Sequence, residues 1–314
     1  MSLAAIAPVR LQRSGSRRRM PRAACTGHAP VVSRPCYRLS CGTYPLLLGR
    51  RTLVMGILNV TPDSFSDGGR CATPSSAARH GLALAADGAD LIDVGGESTR
   101  PGARPVSARE ERARVVPVIR ALARRVRVPI SVDTSKADVA EAALDAGARL
   151  VNDVTGLYGD RRMAAVVARA GVPVVLMHRR GSPRTMQRQT RYRALPDDVI
   201  AALRAAIDRA LDAGIASTRL LVDPGLGFAK TAGQSLLLLR TLPALHALGH
   251  PLLVGPSRKS FIGAVLDAPV NERLFGTAAC VALAIAGGAH IVRVHDVRAM
   301  VQVARMTDAI LNAD

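Results

Sequence analysis

The sequence predicts a single (β/α)8 barrel, and three observations carry that expectation. From position 41 onward, eight short apolar strand candidates alternate with helical stretches, the pattern of βαβ units around a parallel sheet. Each of the eight candidates ends in polar or charged residues. No G-x-G-x-x-G follows the first of them, which argues against an open dinucleotide-binding sheet. A chain of 314 residues holds one such barrel, typically about 250 residues, plus an extension.

The strand candidates are 53–59, 90–95, 129–133, 149–152, 173–178, 219–223, 251–255 and 290–295. They are rich in Val, Ile and Leu, as strands covered on both faces must be. Helices are expected near 74–87, 107–125, 136–146, 161–170, 196–213, 233–247, 271–287 and 297–312. The segment 41–52 is expected to form a small hairpin plugging the N-terminal end. Residues 1–40 carry eight Arg and no acid and lack hydrophobic periodicity. The domain division expected is therefore a disordered Arg-rich extension over 1–40 and a catalytic barrel over 41–314. An Arg- and Ser-rich start can mimic an organellar transit peptide; a dispensable tail, or a true start at Met20, are the plainer readings.

Composition narrows the class further. Trp is absent and aromatics are 3% of the chain, so the core is built from Ala, Val, Leu and Ile. No apolar run reaches the roughly 18 residues that span a bilayer. The five cysteines, Cys25, Cys36, Cys41, Cys71 and Cys280, show neither C-x-x-C spacing nor disulfide density, which reads as reduced thiols in the cytoplasm. A formal charge of +19 invites a nucleic-acid reading. Much of it sits in residues 1–40, and the rest is spread along amphipathic helices, where solvated faces explain it. A basic barrel still favours anionic substrates.

The strand ends carry Asn59, Asp93 with Glu97, Asp133, Asn152, His178, Asp223, Ser257 to Lys259, and Arg293 with His295. A polar residue after a strand is often only the cap of the next helix. All eight ending so is better explained by catalysis, which barrel enzymes place on the loops at the C-terminal ends of their strands. Two glycine-rich loops, 61–69 and 95–102, have the backbone N–H groups and hydroxyls that hold phosphate oxygens. Lys136, Lys230 and Lys259 are the only lysines in an Arg-dominated chain. Lys259 is the strongest single candidate, because a site that needs a compact ammonium cannot freely take guanidinium; for Lys136 and Lys230 a helix-start or solvated role competes. Arg293 and His295 share one face of the last strand and suit a diphosphate grip. His178 reads equally well as a structural histidine or a ligand contact.

With these residues on the page, GILNVTPDSFSDGG at 56–69 and GADLIDVGGESTRPGA at 88–103 resemble the two signature segments of dihydropteroate synthases. SVDTSK, VNDV, LMH, DPGLGFAKT, PSRKS and RVHD resemble the family's further blocks in the same order. The resemblance covers about 52–312. It implies attack by the amine of p-aminobenzoate on the methylene carbon of 6-hydroxymethyl-7,8-dihydropterin diphosphate, with Mg2+-bound pyrophosphate leaving by an SN1-like path. It implies that Asp133, Asn152, Asp223 and Lys259 line the pterin pocket, with Met177 and Phe228 on the ring faces. Asn59, Thr99, Arg293 and His295 would bind the diphosphate, and Asn59 would also be the magnesium ligand. Phe65, Asp67, Thr99, Arg100, Pro101 and Ser260 would enclose p-aminobenzoate, and Asp67, Lys259, Arg293 and His295 would serve catalysis. The partners implied are small molecules, with neither nucleic acid nor membrane, in a cytoplasmic homodimer of a sulfonamide-target class. Leu226 and Arg179 depart from the usual pattern without removing a ligand.

Two rivals remain at this point. Pterin-binding barrels that carry methyltetrahydrofolate to a corrinoid share the carboxylates and amides but need no diphosphate grip, so Arg293, His295, Lys259 and both complete loops favour the synthase. A silent paralogue, or a basic RNA-binding protein using residues 1–40, would instead show steeply salt-dependent nucleic-acid binding.

Overall fold

A computed structural model describes residues 34–61 and 73–313, and in it the alternating pattern closes into a barrel. A hairpin comes first, β1 (Tyr37–Cys41) antiparallel to β2 (Tyr44–Leu48). The barrel strands follow: β3 (Leu53–Asn59), β4 (Leu91–Gly95), β5 (Ile130–Asp133), β6 (Leu150–Asp153), β7 (Val174–Met177), β8 (Leu220–Asp223), β9 (Leu253–Val254) and β10 (Ile291–Val294). They lie parallel in the order β8-β7-β6-β5-β4-β3-β10-β9. The ring closes where Val222 bridges Leu252, and the Val222 N–H donates to the Pro251 carbonyl at 3.0 Å.

Nine α-helices are described: α1 (Pro74–Ala86), α2 (Ala108–Ala123), α3 (Ala137–Ala146), α4 (Met163–Ala170), α5 (Leu195–Asp212), α6 (Ala232–Arg240), α7 (Ser260–Leu266), α8 (Leu274–Ala286) and α9 (Val297–Leu311). Local chemistry sets their starts. Thr73 and Ser76 form a capping box ahead of α1, Ser107 caps α2, and Thr231 with Gln234 forms the box of α6. The helix expected over 233–247 stops at Arg240 and continues as tighter 3-10 turns over Leu242–Leu248, because Pro243 lacks the N–H that an α-helix would use. The short helix α7 was not expected at all.

The hairpin is displaced from its expected position. Gly42, at φ 64°, makes the two-residue turn, so the strands are Tyr37–Cys41 and Tyr44–Leu48 rather than a pairing within 41–52. Arg34 is also tied in, its Nη2 2.5 Å from Asp308 Oδ1 and its Nη1 2.6 Å from Thr52 Oγ1. The last residues of the segment expected to be an extension thus belong to the barrel's base. Residues 1–33 lie outside the described residues.

Side-chain alternation along each strand divides the core in two. Outward-facing Val54, Leu58, Ile92, Val94, Val132, Val151, Leu176, Val222 and Val292 pack under the helices in one large cluster. Inward-facing Leu53, Met55, Leu91, Leu150, Val175, Leu221, Leu253 and Ile291 fill the N-terminal half of the bore, sealed by Leu39, Cys41 and Leu48 of the hairpin. Two residues further along the same inward rows come Asp93, Asn152, Asp223 and Arg293. The pleat that plugs one end therefore lines the other with polar groups.

Candidate active site

At the C-terminal end of the strands lies a cleft of about 340 Å³, within the range of small-molecule sites. It is lined by ten of the expected residues: Asn59, Thr99, Arg100, Pro101, Asp133, Phe228, Lys259, Ser260, Arg293 and His295. Asn152, Met177 and Asp223 are buried and do not line it, and Met177 lines a second cavity with His178 and Arg179. Phe65 and Asp67 fall outside the described residues.

The floor is a charge lattice. Arg293, on β10, reaches across the bore with Nε 2.6 Å from Asp93 Oδ2 and Nη2 2.6 Å from Asp133 Oδ2. Asn152 Nδ2 donates to the same Asp93 oxygen at 2.9 Å. Asp93 is fully buried, so its charge is tolerable only with such partners. Burial lifts the Asp133 carboxyl to about 7 even though Arg293 pulls the other way. Burial also raises Asp223, whose Oδ1 accepts the Gly225 N–H at 2.7 Å.

Lys259 precedes α7, and its Nζ stands 4.0 Å from the centroid of the Phe228 ring. Burial, followed by the nearby charge of Arg293, lowers its ammonium to about 8, while Asp223 and Asp133 resist that fall. Phe228 and Met177 belong to a small apolar cluster with Val154, Met186 and Ala229. Of these, Phe228 and Met186 line the cleft, an apolar wall beside a set of hydrogen-bonding groups, which is what a planar heterocycle requires.

His295 is held by Ser257: its backbone N–H donates to Ser257 Oγ at 3.1 Å, and its Nδ1 lies 3.0 Å from the same oxygen. Where the serine hydroxyl donates to Nδ1, the imidazole proton sits on Nε2. Burial, with Arg258, Arg293, Lys259 and Arg100 around it, lowers His295 to about 3. The ring is a neutral N–H donor, suited to a phosphate oxygen. Arg258, at φ 55°, clamps Asp296 with Nε and Nη2 at 3.0 and 2.6 Å, so the loops bearing Lys259 and His295 are braced together. Arg273 Nη1 holds the Arg258 carbonyl at 3.1 Å.

Several residues were placed less well by sequence reasoning. Asp93 was noted only as a strand end, although it organises Arg293 and Asn152; partners 200 and 59 residues away leave no local signal. Lys230 is neither a helix start nor solvated: it is buried, donating to His178 Nδ1 at 2.9 Å, Gly225 O at 3.0 Å and Phe228 O at 2.9 Å. Burial lowers it to about 7. That contact holds the His178 ring in place, and burial lowers His178 to about 3. Lys136 is salt-bridged to Glu97 and Glu111. Its rarity in the sequence was a usable signal; its partners were not.

Fold and cleft define a barrel with a polar, charged cleft at the C-terminal ends of its strands, and the pterin-binding enzyme family model matches residues 55–295. The dihydropteroate synthase of Synechocystis sp. is 51% identical over 263 residues, 83% of this chain and 91% of that protein. Among solved structures, the Yersinia pestis dihydropteroate synthase in a sulfonamide drug complex is 46% identical with a TM-score of 0.85, the match covering 88% of this chain and 100% of that one. The Xanthomonas albilineans dihydropteroate synthase in complex with 7,8-dihydropteroate is 42% identical with a TM-score of 0.80, covering 88% and 100%. The chain belongs to the dihydropteroate synthases of the pterin-binding family, transferases of folate biosynthesis.

Proposed function

We propose that the cleft joins 6-hydroxymethyl-7,8-dihydropterin diphosphate to p-aminobenzoate, with the residue roles that the sequence resemblance implies. The observation that carries the reading is the gathering of Asp133, Lys259, Arg293, His295 and Asn59 around one cavity. Asp133 and Asp223 offer acceptors to the pterin's amino-pyrimidinone edge, and Asn152 and Lys259 offer donors to its carbonyl and ring nitrogen. Met177 and Phe228 pack on its faces. A guanidinium has five N–H donors, so the two bonds Arg293 makes to Asp93 and Asp133 leave three for the diphosphate. His295 supplies the neutral N–H beside it, and Asn59 and Thr99 complete the grip.

The bond that breaks joins the pterin methylene carbon to a diphosphate oxygen, and its electron pair leaves with pyrophosphate. The arylamine lone pair then closes on the cationic methylene carbon, and the amine loses a proton. Catalysis comes from stabilising the leaving group and sheltering the cation, the part assigned to Asp67. Thr99, Arg100, Pro101 and Ser260, with Phe65, surround p-aminobenzoate.

Among the described residues no group of three or more His, Cys, Asp or Glu could hold a metal, and Asp93 and Asp133 are engaged by Arg293. The donor set instead fits Mg2+ carried in by the diphosphate, with the Asn59 amide oxygen as its protein ligand. Asn59 would hold the ion there, and Mg2+ would supply positive charge to offset that of the pyrophosphate.

Among the described residues no helix is long and apolar enough to cross a membrane, and Cys36, Cys41 and Cys280, the described cysteines, are unpaired, which supports a cytoplasmic location. A homodimer is supported by exposed Phe275 (83%) and Leu283 (61%) on α8, beside exposed Val265 and Leu266 of α7. Sedimentation at micromolar concentration checks this, and a monomer would remove it.

The deciding assay measures pyrophosphate release from the pterin diphosphate with Mg2+, with and without p-aminobenzoate. Release coupled to dihydropteroate formation supports the reading. Pterin binding without turnover would end it in favour of a silent or methyl-carrying barrel.

A further inference from the structure

The loop between β4 and α2 carries Thr99, Arg100 and Pro101 into the cleft, yet it has no regular structure between Gly95 and Ser107 to hold its shape. Its two ends are fastened by one carboxylate. Glu97 Oε1 accepts the Val106 N–H at 2.8 Å, joining the loop's exit to its entry, and Glu97 Oε2 accepts from Lys136 Nζ at 2.8 Å. Lys136 stands three residues beyond Asp133 at the start of α3, so the fastening reaches the wall of the barrel. The same ammonium pairs with Glu111 of α2, whose side chain is 1% exposed. Arg114, one turn further along α2, donates to the Gly96 carbonyl at 2.7 Å.

We propose that Lys136 is a positioning residue for the arylamine half of the reaction, acting through Glu97 as the clasp of this loop. Glu111 fixes the ammonium; the ammonium fixes Glu97; Glu97 closes the loop. The clasp shortens the free span of the loop to the eight residues from Ser98 to Pro105, held once more where the Gly102 N–H donates to the Pro183 carbonyl at 3.1 Å, and so keeps Thr99, Arg100 and Pro101 at the rim of the cleft. Lys136 touches neither substrate. Its effect falls mainly on the partner that the loop encloses, with a smaller one on the diphosphate through Thr99, while the pterin-facing side chains Asp133, Asn152, Asp223 and Lys259 keep their own anchors. A barrel-wide structural role would not divide the substrates in this way. The inference rests on the reading that this loop encloses p-aminobenzoate.

The test is steady-state kinetics of the full-length chain with Glu97→Gln, Lys136→Arg, Lys136→Met and Arg100→Ala. Glu97→Gln is the decisive variant, because it opens the clasp while Lys136 stays paired with Glu111. Lys136→Met leaves Glu111 buried without a partner and is compared only after its fold is verified by circular dichroism. Glu97→Gln should raise KM for p-aminobenzoate about tenfold, as misplaced positioning groups do, with a smaller rise, about threefold at most, in KM for the pterin diphosphate through Thr99. Lys136→Arg should stay near the parent, since a guanidinium can bridge both carboxylates. Equal changes in both KM values, or none in Glu97→Gln, would overturn the clasp. Arg100→Ala separates the two readings: a raised p-aminobenzoate KM there beside an unchanged one in Glu97→Gln sinks only the clasp. An unchanged KM in Arg100→Ala removes the loop from the arylamine site and overturns both.

Discussion

The two ends of the barrel are made by the same eight strands and have opposite chemistry. At the N-terminal end Met55, Leu91, Leu150, Val175, Leu221 and Ile291 meet the hairpin in a dry apolar plug. At the C-terminal end the same inward rows present Asp93, Asn152, Asp223 and Arg293, with Asp133 and Lys259 beside them. Buried apolar area stabilises without demanding partners, whereas buried charge must be matched atom by atom. The difference teaches that stability is concentrated at the closed end and chemistry at the open one, separated by about two residues of strand rise, roughly 7 Å.

Substitutions at the two ends test that division, and the largest effect is expected at the open end. Lys259→Ala should lower kcat/KM by about 1000-fold, the scale of losing one preorganised charged donor, with an unchanged circular dichroism spectrum and urea midpoint. Near-parent turnover would take Lys259 out of the site. Leu221→Ala, at the closed end, should cost about 2–5 kcal/mol of stability in urea titration while the folded fraction keeps its kcat; a loss of kcat instead would mean that the ends are coupled. Starting the chain at Gly42 should also destabilise, because it removes β1, Leu39, Cys41 and the Arg34–Asp308 pair. Removing the whole of 1–40, which the sequence reads as an extension, would cut through that strand.

A smaller effect is expected from pH. Burial sets Asp133 near 7 and Lys259 near 8. Below about 7 the carboxylate becomes protonated and loses an acceptor for the pterin; above about 8 the ammonium is lost. The kcat/KM for the pterin diphosphate should therefore peak between these values and fall about fivefold from pH 7 to pH 6. His295 stays neutral throughout and should not shape the profile. An acidic limb that survives in Asp133→Asn would assign it to another group. The smallest effect is at Leu47, on the hairpin's outward row and 53% exposed: Leu47→Ser should shift stability by no more than about 0.5 kcal/mol by urea titration, and a larger loss would extend the plug to that face.

Most of this architecture was legible because it follows local periodicity. All eight strands fall within a residue or two of their expected bounds, since continuous Val, Ile and Leu runs followed by polar ends leave little choice. The hairpin was misplaced because Pro35–Cys41 carries mixed polar residues whose inward row, Leu39 and Cys41, becomes apolar surface only against the barrel floor. Helix α7 was missed because seven residues after Lys259 are too short for a helical period to register. In the site, chemical types were readable and pairings were not. Arg293 was marked as an anion grip, but its hold on Asp93 and Asp133 depends on strands 160 and 200 residues apart in sequence.

The placement of the lysines has a consequence for covalent labelling. All three of the chain's lysines stand at the mouth of the barrel: Lys230 sealed inside a loop, Lys136 shared between two carboxylates, Lys259 against Phe228. The outer surface is cationic almost entirely through arginine, which amine-directed reagents do not modify. Acylating probes and lysine cross-linkers therefore find no lysine on the barrel's flanks, and since Lys259 alone of the three lines the cleft, a label on it reports on the reaction chamber itself.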